Sequence, residues 1–509
     1  MFKRNLYRLF TITLLGALIA LPVRAENQTL LRYQIKRMDN LNLLLDTKLN
    51  KKRFFKDKLI IKFKKNTNKS VVDKFAKRQK LNLIKKISKD TYVFQSSKNN
   101  LEKDISKLLN NKENKITTYS EDNDIEKIDI DEMRKLLIDK PLNQANAISR
   151  IRNNHEQNYF SKQWYLDNDG TNGLKKDADI NAKEAWEKSL GAGALVAVID
   201  TGFDLMHPDI NYYNQGYDAL NQNNNASAPD FSQERHGTAV AGIICAKNNG
   251  YGVTGVAPEA RLIPIRMISD DGYVEVSTII EAHYKAVELG AQIISNSWGS
   301  YDPDLPSGSI LELSELEKEM YKDISENSHN GKGTLIIFSS GNAGAANFYN
   351  APEARNPYTL SVGATDSTDQ RVSFSNYGPE LDLVAPGGGA QGIYTTDRGD
   401  IRFRQNAKFK KQIQGYQKGD YTSDFSGTSA AAPVVAGVAA LVLAMNPELK
   451  AEELKNILKN SANKTIHPRY SFNEKGWNKE VGYGRIDAKS ALELAESLQG
   501  KNSNLRSQP

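Results

Sequence analysis

The chain has 509 residues, of which 39% are hydrophobic and 25% charged, and it holds a single cysteine. That length allows about two to four domains and a large core, while one cysteine excludes an intramolecular disulfide framework. The formal charge of +7 is unevenly spread: residues 26–150 carry 30 Lys and Arg against 17 Asp and Glu, and residues 151–509 carry 34 against 44. An acidic body argues against nucleic-acid binding and suits a basic partner, either the leading segment or a cationic substrate.

Residues 1–25, "MFKRNLYRLFTITLLGALIALPVRA", combine a basic start, an apolar stretch to Leu21 and the small-residue pattern Val23-Arg24-Ala25. This is a secretory signal peptide pattern, so an extracellular protein without a stable membrane anchor is expected. Residues 26–55 are polar, show no period and receive no assignment. Residues 56–125 read as a small α+β module: strand "KLIIKFKK", helix "SVVDKFAKRQKL", strand "DTYVFQ", helix "LEKDISKLLN" and strand "KITTYS". Residues 126–155 read as a charged linker holding Arg150 and Arg152.

The body, 156–497, is of the α/β class. Near-continuous apolar strands at 194–200, 261–268, 292–298, 334–340 and 360–365 alternate with helical stretches such as "VSTIIEAHYKAVELG". Such a pattern predicts a mainly parallel sheet covered on both faces, with its site at the carboxyl ends of the strands. The basic stretch 402–420 reads as a surface loop, and 498–509 as a polar tail.

Three polar residues fall where strand ends and helix starts should be. Asp200 closes "VAVIDTG", His236 opens "HGTAVAGIICA", and Ser429 opens "SAAAPVVAG". A carboxylate, an imidazole and a hydroxyl form the set for nucleophilic acyl transfer: the imidazole takes the serine proton and the carboxylate fixes the ring. Taken singly, Asp-Thr-Gly is often a turn and Gly-Thr-Ser often a helix cap. Cys245, inside "AVAGIICA", reads as a packing residue.

These blocks, "VAVIDTGFDLMHPDI", "HGTAVAGII" and "GTSAAAPVVAG", resemble the three signatures of the subtilisin-like serine proteases, over about 160–495. The resemblance implies a subtilisin-like three-layer fold and makes 56–125 a propeptide, a chaperone and inhibitor, which the chain's own activity removes within 126–155. It also implies that Asn342 of "FSSGNAG" joins the Ser429 backbone N–H in an oxyanion hole. Ala430 departs from the methionine usual after the nucleophile and matches the kexin-like branch. By resemblance, Ser297, Trp298 and Gly299 line the substrate cleft, and Asp302 and Glu353 face the primary pocket, favouring Arg or Lys before the scissile bond. A calcium loop is implied at Lys247, Asn249, Tyr251 and Val253 with Asp209. The Lys/Asn-rich leader, "QWYL" and "SNSWG" are similar to bacterial leader peptidases of lanthipeptide clusters, which act on a peptide precursor. A degradative subtilisin of broad specificity and a catalytically dead peptide-binding scaffold are the alternatives. A monomer is expected.

Overall fold

The computed structural model describes residues 33–38, 41–46, 51–96, 125–138, 158–230, 232–301, 310–346, 351–399, 416 and 419–506. The signal peptide, the helix and strand expected within 101–120, Arg150, Arg152, Asp302 and nearly all of 402–420 lie outside the described residues.

Seven strands build the central sheet: β7 (Leu195–Thr201), β8 (Tyr217–Asp218), β9 (Arg261–Ile268), β11 (Ile293–Asn296), β13 (Leu335–Ser339), β14 (Leu360–Thr365) and β15 (Leu383–Pro386). Their order is β15-β14-β13-β11-β7-β9-β8, and every neighbouring pair is parallel. The strands are apolar at successive positions because both faces are covered. On β7, Val196 and Val198 face one core while Ala197 and Ile199 face the other. The first core packs helices α3 (His236–Cys245) and α6 (Thr428–Met445). The second packs α4 (Val276–Glu288) and α5 (Glu315–Gly331). This is the three-layer α/β fold expected.

Small residues in α6 reflect close approach rather than helix propensity. A Cβ added at Gly437 would lie 2.5 Å from Cβ of Val256, so any side chain there would push the helix off its neighbour. By length and composition α6 could cross a membrane, yet it is buried from Thr428 to Leu443 inside this core.

The leading segment differs from expectation in extent. Its antiparallel sheet begins at Tyr33, with β1 (Tyr33–Met38), β2 (Leu41–Asp46) and β3 (Lys51–Phe63). Helix α1 (Lys69–Gln79), β4 (Leu81–Lys86) and β5 (Thr91–Ser96) follow. Strand β4 escapes sequence reading because only Leu81 of its six residues is buried. Residues 126–137, expected to be linker, belong to strand β6 (Ile125–Leu137). One part of β6 pairs with β3; a later part pairs with two short strands of the body, β10 (Tyr273–Glu275) and β12 (Gly299–Tyr301). Charged residues hid it, since Asp131 and Arg134 are buried against partners in the body.

The leader docks on α4 and α5. Ile60, Ile87, Val93 and Leu136 join the apolar core beneath these helices. Around them Lys58 pairs with Glu275 at 2.7 Å, Lys62 with Glu319 at 3.2 Å, Lys85 with Glu281, and Lys127 with Glu319. The opposite net charges of the two parts thus meet at this interface.

Candidate active site

Asp200 sits at the carboxyl end of β7 and is fully buried. His236 is the first residue of α3, and the helix start is pinned to the strand by Gly237 N–H donating to Thr201 Oγ1 at 3.0 Å. The imidazole Nδ1 lies 2.8 Å from Asp200 Oδ1 and 3.0 Å from Oδ2, and the ring packs edge-on against Phe425 at 5.3 Å. Its other nitrogen, Nε2, is buried without a hydrogen-bond partner. A carboxylate that holds the proton on Nδ1 leaves Nε2 as the basic lone pair. A base that takes a proton needs such a lone pair free of a donor.

Ser429 is the second residue of α6, after Gly427, whose φ of 116° only glycine adopts without strain. The Ser429 hydroxyl donates to Ser297 O at 2.9 Å, and the Ser297 hydroxyl returns a bond to Ser429 O at 3.0 Å. The start of α6 is therefore tied to the carboxyl end of β11. Asn342 follows β13. Its Oδ1 accepts from Thr428 N and Thr428 Oγ1, both at 2.9 Å, which leaves the amide N–H2 as the group to donate elsewhere. Backbone N–H groups in the first turn of α6 have no carbonyl within the helix. Thr428 N–H in that turn is taken by Asn342 Oδ1, and Ala430 N–H by Gly427 O at 3.0 Å, so the Asn342 side chain is held at the start of α6 next to Ser429 in sequence.

The edge residues divide. Gly299 pairs antiparallel with Leu137, so strand addition occurs at this edge, with the chain's own β6 as the added strand. The Trp298 side chain does not line the cleft. It is buried, donates Nε1–H to Ile199 O at 2.8 Å and packs on Phe338 at 5.1 Å; only its backbone can contact a substrate strand. Glu353 does not stand open to the primary pocket either. It is fully buried, accepts Ser300 N–H at 3.2 Å, bonds Ser300 Oγ and lies 3.9 Å from Arg134.

The calcium-loop residues come together, but as a hydrogen-bonded turn. Asp209 Oδ1 accepts from Asn249 Nδ2 at 2.9 Å, Oδ2 from Val253 N at 3.1 Å, and Asp209 O from Lys247 N at 2.7 Å. Asn249 Oδ1 accepts from Tyr251 N at 3.2 Å, and the Tyr421 hydroxyl also bonds the Asp209 carboxylate. Oxygens already facing N–H and O–H donors do not fit a hard cation, which needs several oxygens turned inward. Among the described residues no cluster of three or more His, Cys, Asp or Glu could hold a metal. Cys245 is buried, and burial pushes its thiol up to about 12, as a packing residue requires.

Sequence reading missed the supports. Glu234 Oε2 accepts Gly202 N–H at 2.8 Å just past Asp200, while Arg266 holds both Glu234 oxygens at 2.7 Å and Asp218 at 2.8 Å. An arginine inside the apolar strand "RLIPIRMI" was the available signal. Thr428 was hidden as a presumed cap, although it is what orients Asn342.

The fold is a parallel sheet covered on both faces, and its strand ends and helix starts bring Asp200 against His236 and Asn342 against the start of α6. The model of the subtilase family matches residues 191–484, and the chain belongs to that family. It is 31% identical to a calcium-dependent protease of Nostoc sp. over 362 residues, 69% of this chain and 53% of that protein. The chain therefore spans about half the length of that relative. It is 34% identical to subtilisin BL of Lederbergia lenta over 56% of this chain and 88% of that one. The crystal structure of fervidolysin from Fervidobacterium pennivorans superposes with a TM-score of 0.61 at 22% identity, covering 92% of this chain and 65% of that one.

Proposed function

We propose that the chain is a secreted serine endopeptidase of broad substrate range that removes its own leading segment. The observation that carries this reading is the buried, unpartnered Nε2 of His236 with Nδ1 held by Asp200. In the proposed mechanism the Ser429 hydroxyl turns from Ser297 O, gives its proton to Nε2 and attacks the scissile carbonyl. The Asn342 amide and the Ser429 N–H hold the oxyanion. His236 then protonates the leaving amine, and water releases the acyl group by the same route reversed.

The signal-like residues 1–25 support export, and the relatives named as subtilisins and alkaline proteases support broad action. Two relatives are named calcium-dependent; here the Asp209 loop is closed by Asn249, Val253 and Tyr421, so no step relies on a cation. Removal of a leader from a peptide precursor is the second reading. It is favoured by β6 lying as an added strand on the edge at Gly299, the place an extended peptide precursor would take.

Expression of wild type and Ser429→Ala, followed by a panel of peptides differing only before the scissile bond, tests this. Wild type should shed the leading segment and cut after Phe, Leu and Arg at rates within about tenfold, the span that modest pocket contacts produce. Ser429→Ala should do neither. Processing by pure Ser429→Ala protein would contradict self-removal, and cutting confined to Arg and Lys would move the assignment to the second reading.

A further inference from the structure

Arg134 of β6 enters a pocket built entirely by the body. Its Nη1 donates to Glu317 Oε1 at 2.7 Å, reaches Ser300 Oγ at 3.5 Å and lies 3.9 Å from Glu353 Oε1. Side-chain exposure is 4% for Arg134, 0% for Glu317 and 1% for Glu353. The Tyr321 hydroxyl is fully buried without a hydrogen-bond partner and feels the charges of Glu353, Glu317 and Arg134 together. A guanidinium presents five N–H donors in a planar fork, and here its Nη1 faces two carboxylates and a hydroxyl, with the Tyr321 phenol near enough to feel the charge. Removing the partner of a buried charge costs far more than a surface pair is worth. Once the leader leaves, two carboxylates and a hydroxyl border the vacated place, and another guanidinium would find the same partners there.

We infer that Glu317, Glu353, Ser300 and Tyr321 form a guanidinium subsite for the substrate, occupied by Arg134 before maturation. The subsite rests on the endopeptidase reading and names its preferred substrate: an extended peptide with an arginine well upstream of the cut. The register sets the distance. Leu137 opposes Gly299 in an antiparallel pair, so a strand in this place lays the residue opposite Ser297 about five positions downstream of the pocket, on the order of 16 Å along an extended chain. Ser297 O is the group that Ser429 touches. Arginine is thus read far from the bond that breaks.

The test uses processed wild-type enzyme and two fluorogenic peptides alike except for arginine or its neutral isostere citrulline at that upstream position. The arginine peptide should show about 10- to 100-fold higher kcat/KM, as buried charge-assisted hydrogen bonds give, and Glu317→Gln should collapse the ratio. A wild-type ratio below about twofold would overturn the subsite, while efficient cutting of both peptides would leave the endopeptidase reading intact. If neither peptide is cut, the endopeptidase reading is what fails. The pocket is then read in the full-length Ser429→Ala chain, where Arg134→Gln should let added chymotrypsin cut β6 about tenfold faster; an unchanged rate would sink the proposal.

Discussion

At the residue scale, the site residues are held in place by neighbouring side chains and backbone together. Thr428 fixes Asn342 through two bonds to Oδ1, so the amide nitrogen is oriented before any substrate arrives. Preorganised donors of this kind act on the transition state more than on the bound substrate. Asn342→Ala should therefore lower kcat by about 10²- to 10³-fold with little change in KM. A loss expressed mainly in KM would show that Asn342 binds substrate rather than the oxyanion. Asp200, His236, Ser429 and Asn342 were legible in the sequence because each sits at a strand end or helix start that short motifs mark. The surroundings of Trp298 and Glu353 were not legible. Trp298 is captured by Ile199 and Phe338, and Glu353 by Ser300 and Arg134, all distant in sequence.

At the scale of elements, β6 joins leader to body. Its Asp131 accepts Ser277 N–H at 2.9 Å and Ser277 Oγ–H at 2.8 Å, meeting the amino end of α4. Burial first, then the nearby Glu275, pushes this carboxyl up to about 6, against the Ser277 bonds and Lys58. Freed into solvent it returns toward 3.8. A carboxyl that binds its proton more tightly when docked favours docking at low pH, and that contribution is lost as pH rises through about 6. Leader retention in chains already cut should accordingly be up to on the order of a hundredfold tighter at pH 8 in Asp131→Asn than in wild type. The two should converge near pH 4. Retention by size exclusion across this range checks it, and a gap that widens toward acid pH would contradict it. The parallel sheet was legible because both faces of β7, β11, β13 and β14 are apolar. Strand β6 was not, because its buried charges are paired only across the interface.

At the scale of the whole molecule, a basic leader covers helices α4 and α5 of an acidic body and lays one strand on the edge beside Ser429. Charge complementarity of this sort guides docking and register, and the apolar contacts of Ile60, Val93 and Leu136 supply the burial beneath it. The unequal charge of the two parts was plain from composition. Their arrangement depended on pairings between residues up to 257 positions apart, which no local pattern contains.

All of this assumes that Ser429 is activated by His236. Reaction of the processed enzyme with a fluorophosphonate, followed by intact mass and peptide mapping, tests that most directly. One adduct per chain should form, on Ser429, and His236→Ala should slow its formation by roughly 10³-fold or more. An adduct elsewhere, or labelling of Ser429 at the wild-type rate without the imidazole, would contradict the account.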